Sequence, residues 1–209
     1  PDTCAGREVI CFSISGEMST SGNVMRLAAE ELGQEGLVTV IDSANLSTGI
    51  GLLVIEAAIL AKKGKCAEEI ASKIELLKPK VRASFVVDTL TYLYRGGRCS
   101  GLAAMAGGAL KLHPKIVVED GVMRPTKKFR GKMDKVLLSY AKEMETDLKH
   151  ARPGRVFITH SGCEEATIDA VRAYLESLSV FDEIIVTRAG GVISSHCGPG
   201  TLGVLFLEK

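Results

Sequence analysis

The sequence predicts an α/β fold of two α/β domains, and three observations carry that prediction. Short apolar runs at residues 8–14, 37–42, 83–88, 155–160 and 183–187 alternate with stretches of helical period, the rhythm of a largely parallel sheet and its crossover helices. The first two runs lead into loops rich in Ser and Gly before a helix begins, which sets hydroxyls at the carboxyl edge of a sheet beside a helix N-terminus. After residue 94 the pattern changes to a small-residue stretch and a hairpin signature, so the chain divides into residues 1–94 and 95–209.

Taken in order, residues 8–14 form a buried strand that breaks at Ser15, Gly16, Glu17, Met18, Ser19, Thr20 and Ser21. Residues 24–32 follow with helical spacing, placing Val24, Leu27, Ala28 and Leu32 on one face and Gly33 at the C-terminal end. The loop between them collects hydroxyls beside free N–H groups, and an N-cap accounts for one such serine but poorly for four. The strand at 37–42 repeats the arrangement with a Ser/Gly loop over 43–51 and a helix over 52–63. A helix opened by Cys66 spans 67–77 and stops at Lys78-Pro79.

Residues 83–88 read as a strand, and a short helix from Leu90 ends at Arg95-Gly96-Gly97-Arg98. Residues 102–110 form a small-residue helix that packs tightly or lines a cavity. The hairpin covers 115–124, where Asp120-Gly121 suits a type I′ turn. A helix over 133–149, a strand over 155–160, a helix over 164–178 and a strand over 183–187 complete the second domain.

The final stretch, Ser194-Ser195-His196-Cys197-Gly198-Pro199-Gly200, precedes an apolar run that ends the chain. Two readings stay open for it. Gly198 and Gly200 allow a donor-rich loop around a small anion with His196 as a further donor, or the loop is simply tight and its histidine half exposed.

Composition narrows the function classes. With 26 Lys+Arg against 25 Asp+Glu, net charge gives no case for nucleic acid. Glu56 interrupts the longest apolar stretch, so a membrane span is not expected, and with no leader-like start the expected compartment is the cytoplasm. The six cysteines lack metal-ligand spacing and are expected as free thiols, and no metal or cofactor is expected.

Several motifs now stand in order: Phe12-Ser13-Ile14-Ser15-Gly16-Glu17-Met18-Ser19, Asp42-Ser43 with Gly49-Ile50-Gly51, Arg95-Gly96-Gly97-Arg98-Cys99-Ser100-Gly101, Lys115-Ile116 before a hairpin, Phe129-Arg130-Gly131-Lys132, and Ser195-His196-Cys197-Gly198-Pro199-Gly200. Together they resemble the DegV family of fatty-acid-binding proteins over nearly the whole chain. The resemblance implies one long-chain fatty acid in an apolar tunnel with its carboxylate held between the domains, and no catalytic residues. It implies a carrier that presents the carboxylate to a separate ATP-binding kinase subunit for acyl-phosphate formation. Carried over by motif, Ser15, Gly16, Ser19 and Thr20 would hold the carboxylate and His196 would close the site. Arg130 and Arg98 would meet the kinase subunit or a phosphate. Family members usually start with a strand carrying an Asp-Ser-Thr-like turn and a second Thr/Ser loop, neither of which stands ahead of Glu8 here. Gly16 and Thr20 also occupy places where the family more often has Ser or Lys and Gly.

The chemistry of the residues agrees with that expectation. A carboxylate at the end of an apolar tunnel must be hydrogen-bonded, and the hydroxyl-rich loops supply donors. Each buried CH₂ contributes about 0.8 kcal/mol, so an apolar tunnel holds a long chain with few polar contacts. Two alternatives are a serine hydrolase acting on acyl substrates and a lipid-sensing module without a kinase partner. Against the hydrolase, Ser195 and His196 are sequence neighbours and point apart, and no Gly-x-Ser-x-Gly elbow is present.

Overall fold

The computed structural model describes residues 7–98 and 112–209. The helix expected over 102–110 and the residues Cys4, Cys99, Ser100 and Gly101 lie outside the described residues. The chain divides into two compact units, Pro1–Val81 with Asp120–Val122, and Arg82–Glu119 with Met123–Lys209.

In the first unit, β1 (Val9–Ser13) pairs in parallel with β2 (Val38–Asp42), so that Ser13 stands opposite Asp42 at the carboxyl end of both strands. A parallel pair needs a crossover, and α1 (Ser21–Glu31) supplies it. The apolar face expected on α1 is not the one that packs. Val24, Leu27 and Leu32 are 60%, 57% and 74% exposed, whereas Gly22 and Ala29 are buried. Small residues seven apart let the helix lie close to the strands.

Two further helices follow, α2 (Ser47–Lys62) and α3 (Ala67–Leu77). The loop expected over 43–51 is shorter than its glycines suggest, because α2 already starts at Ser47. Gly49 sits inside its first turns, where a Cβ would lie 2.1 Å from Asn45 Oδ1, so the glycine makes room for a buried asparagine. At α3, the Cys66 side chain and Glu69 form a reciprocal capping box. A short 3₁₀ turn at Lys78–Lys80 then leads out of the unit.

The second unit is built on a six-stranded sheet. Its strands are β3 (Val81–Val86), β4 (Leu112–Glu119), β5 (Val122–Arg130), β6 (Ala151–Ser161), β7 (Glu183–Arg188) and β8 (Thr201–Glu208), in the order β5-β4-β3-β8-β6-β7. The strand read at 83–88 as part of the first domain therefore belongs to this sheet, where β3 pairs antiparallel with β4.

The sheet is mixed rather than largely parallel. β6 and β7 are parallel, but β6 and β8 are antiparallel. The reason lies in the connections. Asp120 and Gly121 have φ of 50° and 76°, the left-handed pair of a type I′ turn, which returns the chain immediately. Between β7 and β8 the only helix is α8 (Gly191–Cys197), two turns that span about 10 Å and cannot carry the chain back along a strand. The loop expected around His196 is thus a short helix, and Gly198 at φ 81° ends it. The helix expected over 133–149 is two, α5 (Met133–Glu143) and α6 (Glu145–Lys149), hinged at Met144.

One face of this sheet packs on α5 and α7 (Glu165–Ser177) through Val136, Leu137, Ile158, Val171, Leu202 and Val204. Tyr140 is fully buried there. Its hydroxyl stands between β3 and β8, donating to Ser84 O at 2.8 Å and accepting from Val204 N–H at 3.0 Å. The side chain so bridges the two strands. By strand alternation Phe85, Phe157, Leu205 and Leu207 point to the other face, and all are buried. Gly203 lies on that side too, where a Cβ would meet Ser84 O at 2.8 Å.

Candidate functional site

In the first unit, β1 delivers the chain to a turn whose polar groups are largely committed. Ser15 is 1% exposed. Its N–H donates to Asn45 O at 2.9 Å and its carbonyl accepts from Met18 and Ser19 N–H. Its hydroxyl donates to Gly121 O at 2.7 Å and accepts from Glu17 N–H at 3.2 Å. Ser15 therefore organises the turn, and its single hydroxyl proton is already used. The Gly16 N–H is likewise held by Asp42 Oδ2 at 3.0 Å, while Asp42 Oδ1 takes the Ala44 N–H at 2.8 Å. A Cβ at Gly16 would come within 2.9 Å of that carboxylate.

The next residues are differently placed. Ser19 Oγ and Ser21 Oγ are 2.7 Å apart, both half-buried, and Ser21 N–H donates to Ser19 Oγ at 3.2 Å. Helix α1 begins here with Thr20 at its N-cap position, but the Thr20 side chain does not cap it and no acidic residue stands in its first turn. The leading N–H groups of such a helix have no acceptor within it, and its dipole favours negative charge. Beneath them, Ser13 Oγ is buried with no hydrogen-bond partner among the described residues. A Cβ at Gly22 would lie 2.7 Å from that hydroxyl and 3.5 Å from Arg26 Nη1. Hydroxyls and the leading amides so gather at one helix end, beside an Arg26 guanidinium that already donates to Asn23 Oδ1 and Val40 O. This is chemistry for a small anion.

In the second unit, His196 occupies the last turn of α8, half-buried. The turn behind it is clamped from β6: Ser161 Oγ donates to Gly198 O, and Ser161 O accepts the Gly200 N–H at 2.9 Å. Alongside packs α4 (Thr91–Arg95), ended by Gly96. Arg98 Nη1 donates to Gly96 O at 2.7 Å. Arg130 is the exposed last residue of β5. The buried His113 sets the corner just after it, with Nε2 3.1 Å from Gly131 O and Nδ1 3.2 Å from Asp88 O.

Hydroxyls near the histidines of this unit are spent on backbone. Ser195 Oγ donates to Val192 O at 2.8 Å and Ser194 Oγ to Ala189 O at 3.1 Å. His160 Nδ1 accepts the Cys163 N–H at 3.3 Å. Burial, with Arg188 adding, lowers the pKa of His160 below the ordinary histidine value. Burial also pushes the Cys163 thiol up to about 11, and its Sγ donates to Thr201 O. Cys11, Cys66 and Cys163 are free thiols. Among the described residues no cluster of His, Cys, Asp and Glu could hold a metal ion, and no helix is long and apolar enough to cross a membrane.

The profile of the family described as "Uncharacterised protein, DegV family" matches residues 3–209. The chain belongs to the DegV family. A DegV domain-containing protein of Deinococcus radiodurans is 36% identical over 94% of this chain and 69% of its own length. A DegV family protein from Thermus thermophilus, described for its fatty-acid binding, superposes with a TM-score of 0.85 at 30% identity, covering 97% of this chain and 71% of that one. The Fatty Acid Kinase (Fak) B3 protein of Streptococcus pneumoniae, solved loaded with linoleic acid, shares the fold with a TM-score of 0.82 at 22% identity over 97% of this chain and 72% of that one.

Of the residues singled out from the DegV motifs, Ser15, Gly16, Ser19 and Thr20 share the β1–α1 turn, and His196 and Arg98 share the junction of α8 with α4. Arg130 stands on a separate element. The motif carry-over assigned no role to Ser13 or to Asp42, the group that ties up Gly16, and it left out Ser21, which the loop reading counts among its four hydroxyls. Ser21 carries a readable signal, since it is the hydroxyl residue two beyond Ser19 at a helix start. For Ser13 there is none, because its empty hydrogen bond arises only from how closely α1 approaches.

Proposed function

We propose that this DegV chain binds a long-chain fatty acid and takes its carboxylate at the N-terminus of α1. The carrying observation is the Ser19–Ser21 hydroxyl pair over a helix end that the Thr20 side chain does not cap, with the unpartnered Ser13 Oγ beneath. The fatty-acid binding described for the Thermus relative supports the choice of ligand. In this reading Ser15 and Gly16 build the turn, Ser19, Ser21 and the leading amides donate to the carboxylate, Thr20 lies at its rim, and His196 of the second unit is a further donor. The acyl chain takes an apolar tunnel, for which the buried face carrying Phe85, Phe157, Leu205 and Leu207 is the candidate wall.

The chain then acts as a cytoplasmic carrier without catalytic groups of its own. It presents the carboxylate to an ATP-binding kinase subunit that makes the acyl phosphate, with Arg130 and Arg98 on the side of that encounter. The Streptococcus protein, a fatty-acid kinase component of the same fold, supports this role. Native mass spectrometry followed by solvent extraction tests the binding. One fatty acid per chain is expected, and a Ser19→Ala/Ser21→Ala variant should lose about 10- to 100-fold in affinity, since two hydrogen bonds to a charged group are removed. A chain that is empty and takes up no added oleate would refute the reading.

A further inference from the structure

Two adjacent glycines in the Arg95-Gly96-Gly97-Arg98 turn are glycine for different reasons. Gly97 has φ +69°, a left-handed backbone, and a Cβ there would meet nothing within 4 Å. Gly96 is the reverse. Its φ of −72° and ψ of −10° suit any residue, yet a Cβ would lie 2.0 Å from His196 Nδ1, 2.7 Å from Cε1 and 3.3 Å from Cγ. The three atoms nearest such a side chain at 96 all belong to the imidazole.

The contact is reciprocated across the same pair of helices. A Cβ at Gly198, which ends α8, would lie 2.3 Å from Cδ2 of Tyr92 on α4. Each helix thus lays a ring on the glycine that closes the other. The seat at 96 is itself braced, because its N–H bonds to Tyr92 O at 2.9 Å and its carbonyl accepts from Arg98 Nη1 at 2.7 Å. With the Nδ1 edge of the ring resting on a Cα, Nε2 is the nitrogen left for a ligand.

We propose that Gly96 is a positioning residue for His196, fixing the ring so that Nε2 is presented to the fatty-acid carboxylate. Gly96 and the end of α8 then form one binding element, to which Gly97 does not belong. The ligand half of this proposal rests on His196 being a donor to the fatty acid; the seat itself does not.

The test is a double-substitution cycle on the 209-residue chain with two readouts, oleate affinity by calorimetry and the thermal midpoint. Gly96→Ala and His196→Ala are each expected to weaken oleate binding about tenfold, and the double variant also about tenfold rather than a hundredfold, because one interaction is lost by either route. In stability, Gly96→Ala should lower the midpoint by roughly 5 °C, and adding His196→Ala should recover most of that loss, because the clashing ring is gone. Gly97→Asn, which tolerates a left-handed backbone, should bind oleate like the parent. If Gly96→Ala does not fold, the recovered fold of the double variant and a nuclear Overhauser contact between the His196 ring and the Gly96 Hα protons in the parent still decide the seat. A double variant that melts no higher than Gly96→Ala, or a Gly96→Ala chain that binds oleate like the parent while His196→Ala does not, would overturn the proposal. A His196→Ala chain with parental affinity would instead remove His196 as a donor and with it the ligand half, leaving the melting cycle to judge the seat.

Discussion

Replacing Tyr140 by Phe removes a single oxygen, yet that oxygen joins two central strands. It donates to Ser84 O at 2.8 Å, accepts from Val204 N–H at 3.0 Å and lies 2.8 Å from Ser84 Oγ, in a site with no solvent access. Without it the Val204 N–H and the Ser84 carbonyl lose their partner inside an apolar core, while Ser84 Oγ retains Met144 Sδ at 3.3 Å. An unpaired buried polar group costs about 1–3 kcal/mol, so two of them place the loss at roughly 3–4 kcal/mol. For a chain of this size each kcal/mol moves the midpoint by about 2–4 °C, which predicts a fall of roughly 10 °C by calorimetry or circular dichroism. Ser84→Ala, which keeps both backbone bonds, should lose only about 1 kcal/mol. A Tyr140→Phe midpoint within about 3 °C of the parent would show that β3 and β8 close directly without the hydroxyl, and the argument would fail. Burial raises the pKa of Tyr140, so its phenol should also stay neutral through the pH range where exposed tyrosines ionise.

Other outcomes follow from the same structure. Cys163, with its thiol pushed up to about 11, should be alkylated far more slowly at neutral pH than the exposed Cys66, as mass mapping of iodoacetamide adducts would read. His160 should titrate by NMR below the ordinary histidine value. Because the unfolded chain binds that proton first, its contribution to stability is complete above about pH 6.5 and is lost as pH falls below it. Gly198→Ala should destabilise the chain by about 2 kcal/mol or more in urea unfolding, since it combines a left-handed φ of 81° with a clash against Tyr92. Gly97→Asn, open and left-handed, should by comparison be nearly neutral.

Much of the fold was legible because the signals were local. Asp120-Gly121 gave the hairpin turn and Lys78-Pro79 the end of α3, each by backbone chemistry at one or two residues. The mixed sheet was not legible, since the direction of β8 depends on how short α8 is, and α8 itself hid behind Ser-Ser-His-Cys and its flanking glycines. The exposed face of α1 misled for a related reason: periodicity marked Val24, Leu27 and Leu32, but packing chose Gly22 and Ala29. Within the candidate site, the motif named the right turn but could not tell which hydroxyls were spent. Ser15 gives its proton to a carbonyl 106 residues away in sequence, a partner no local pattern encodes.

The ring seated on Gly96 ties two distant positions to one history. A lineage that exchanged His196 for a small residue would lose the obstacle at 96 and become free to fill it, whereas one that filled position 96 first would lose the orientation of its histidine before gaining anything. Gly97, next in the chain, answers only to its own backbone and is coupled to no ring. Neighbours by sequence, the two glycines are expected to drift independently, while 96 and 196 change as a pair.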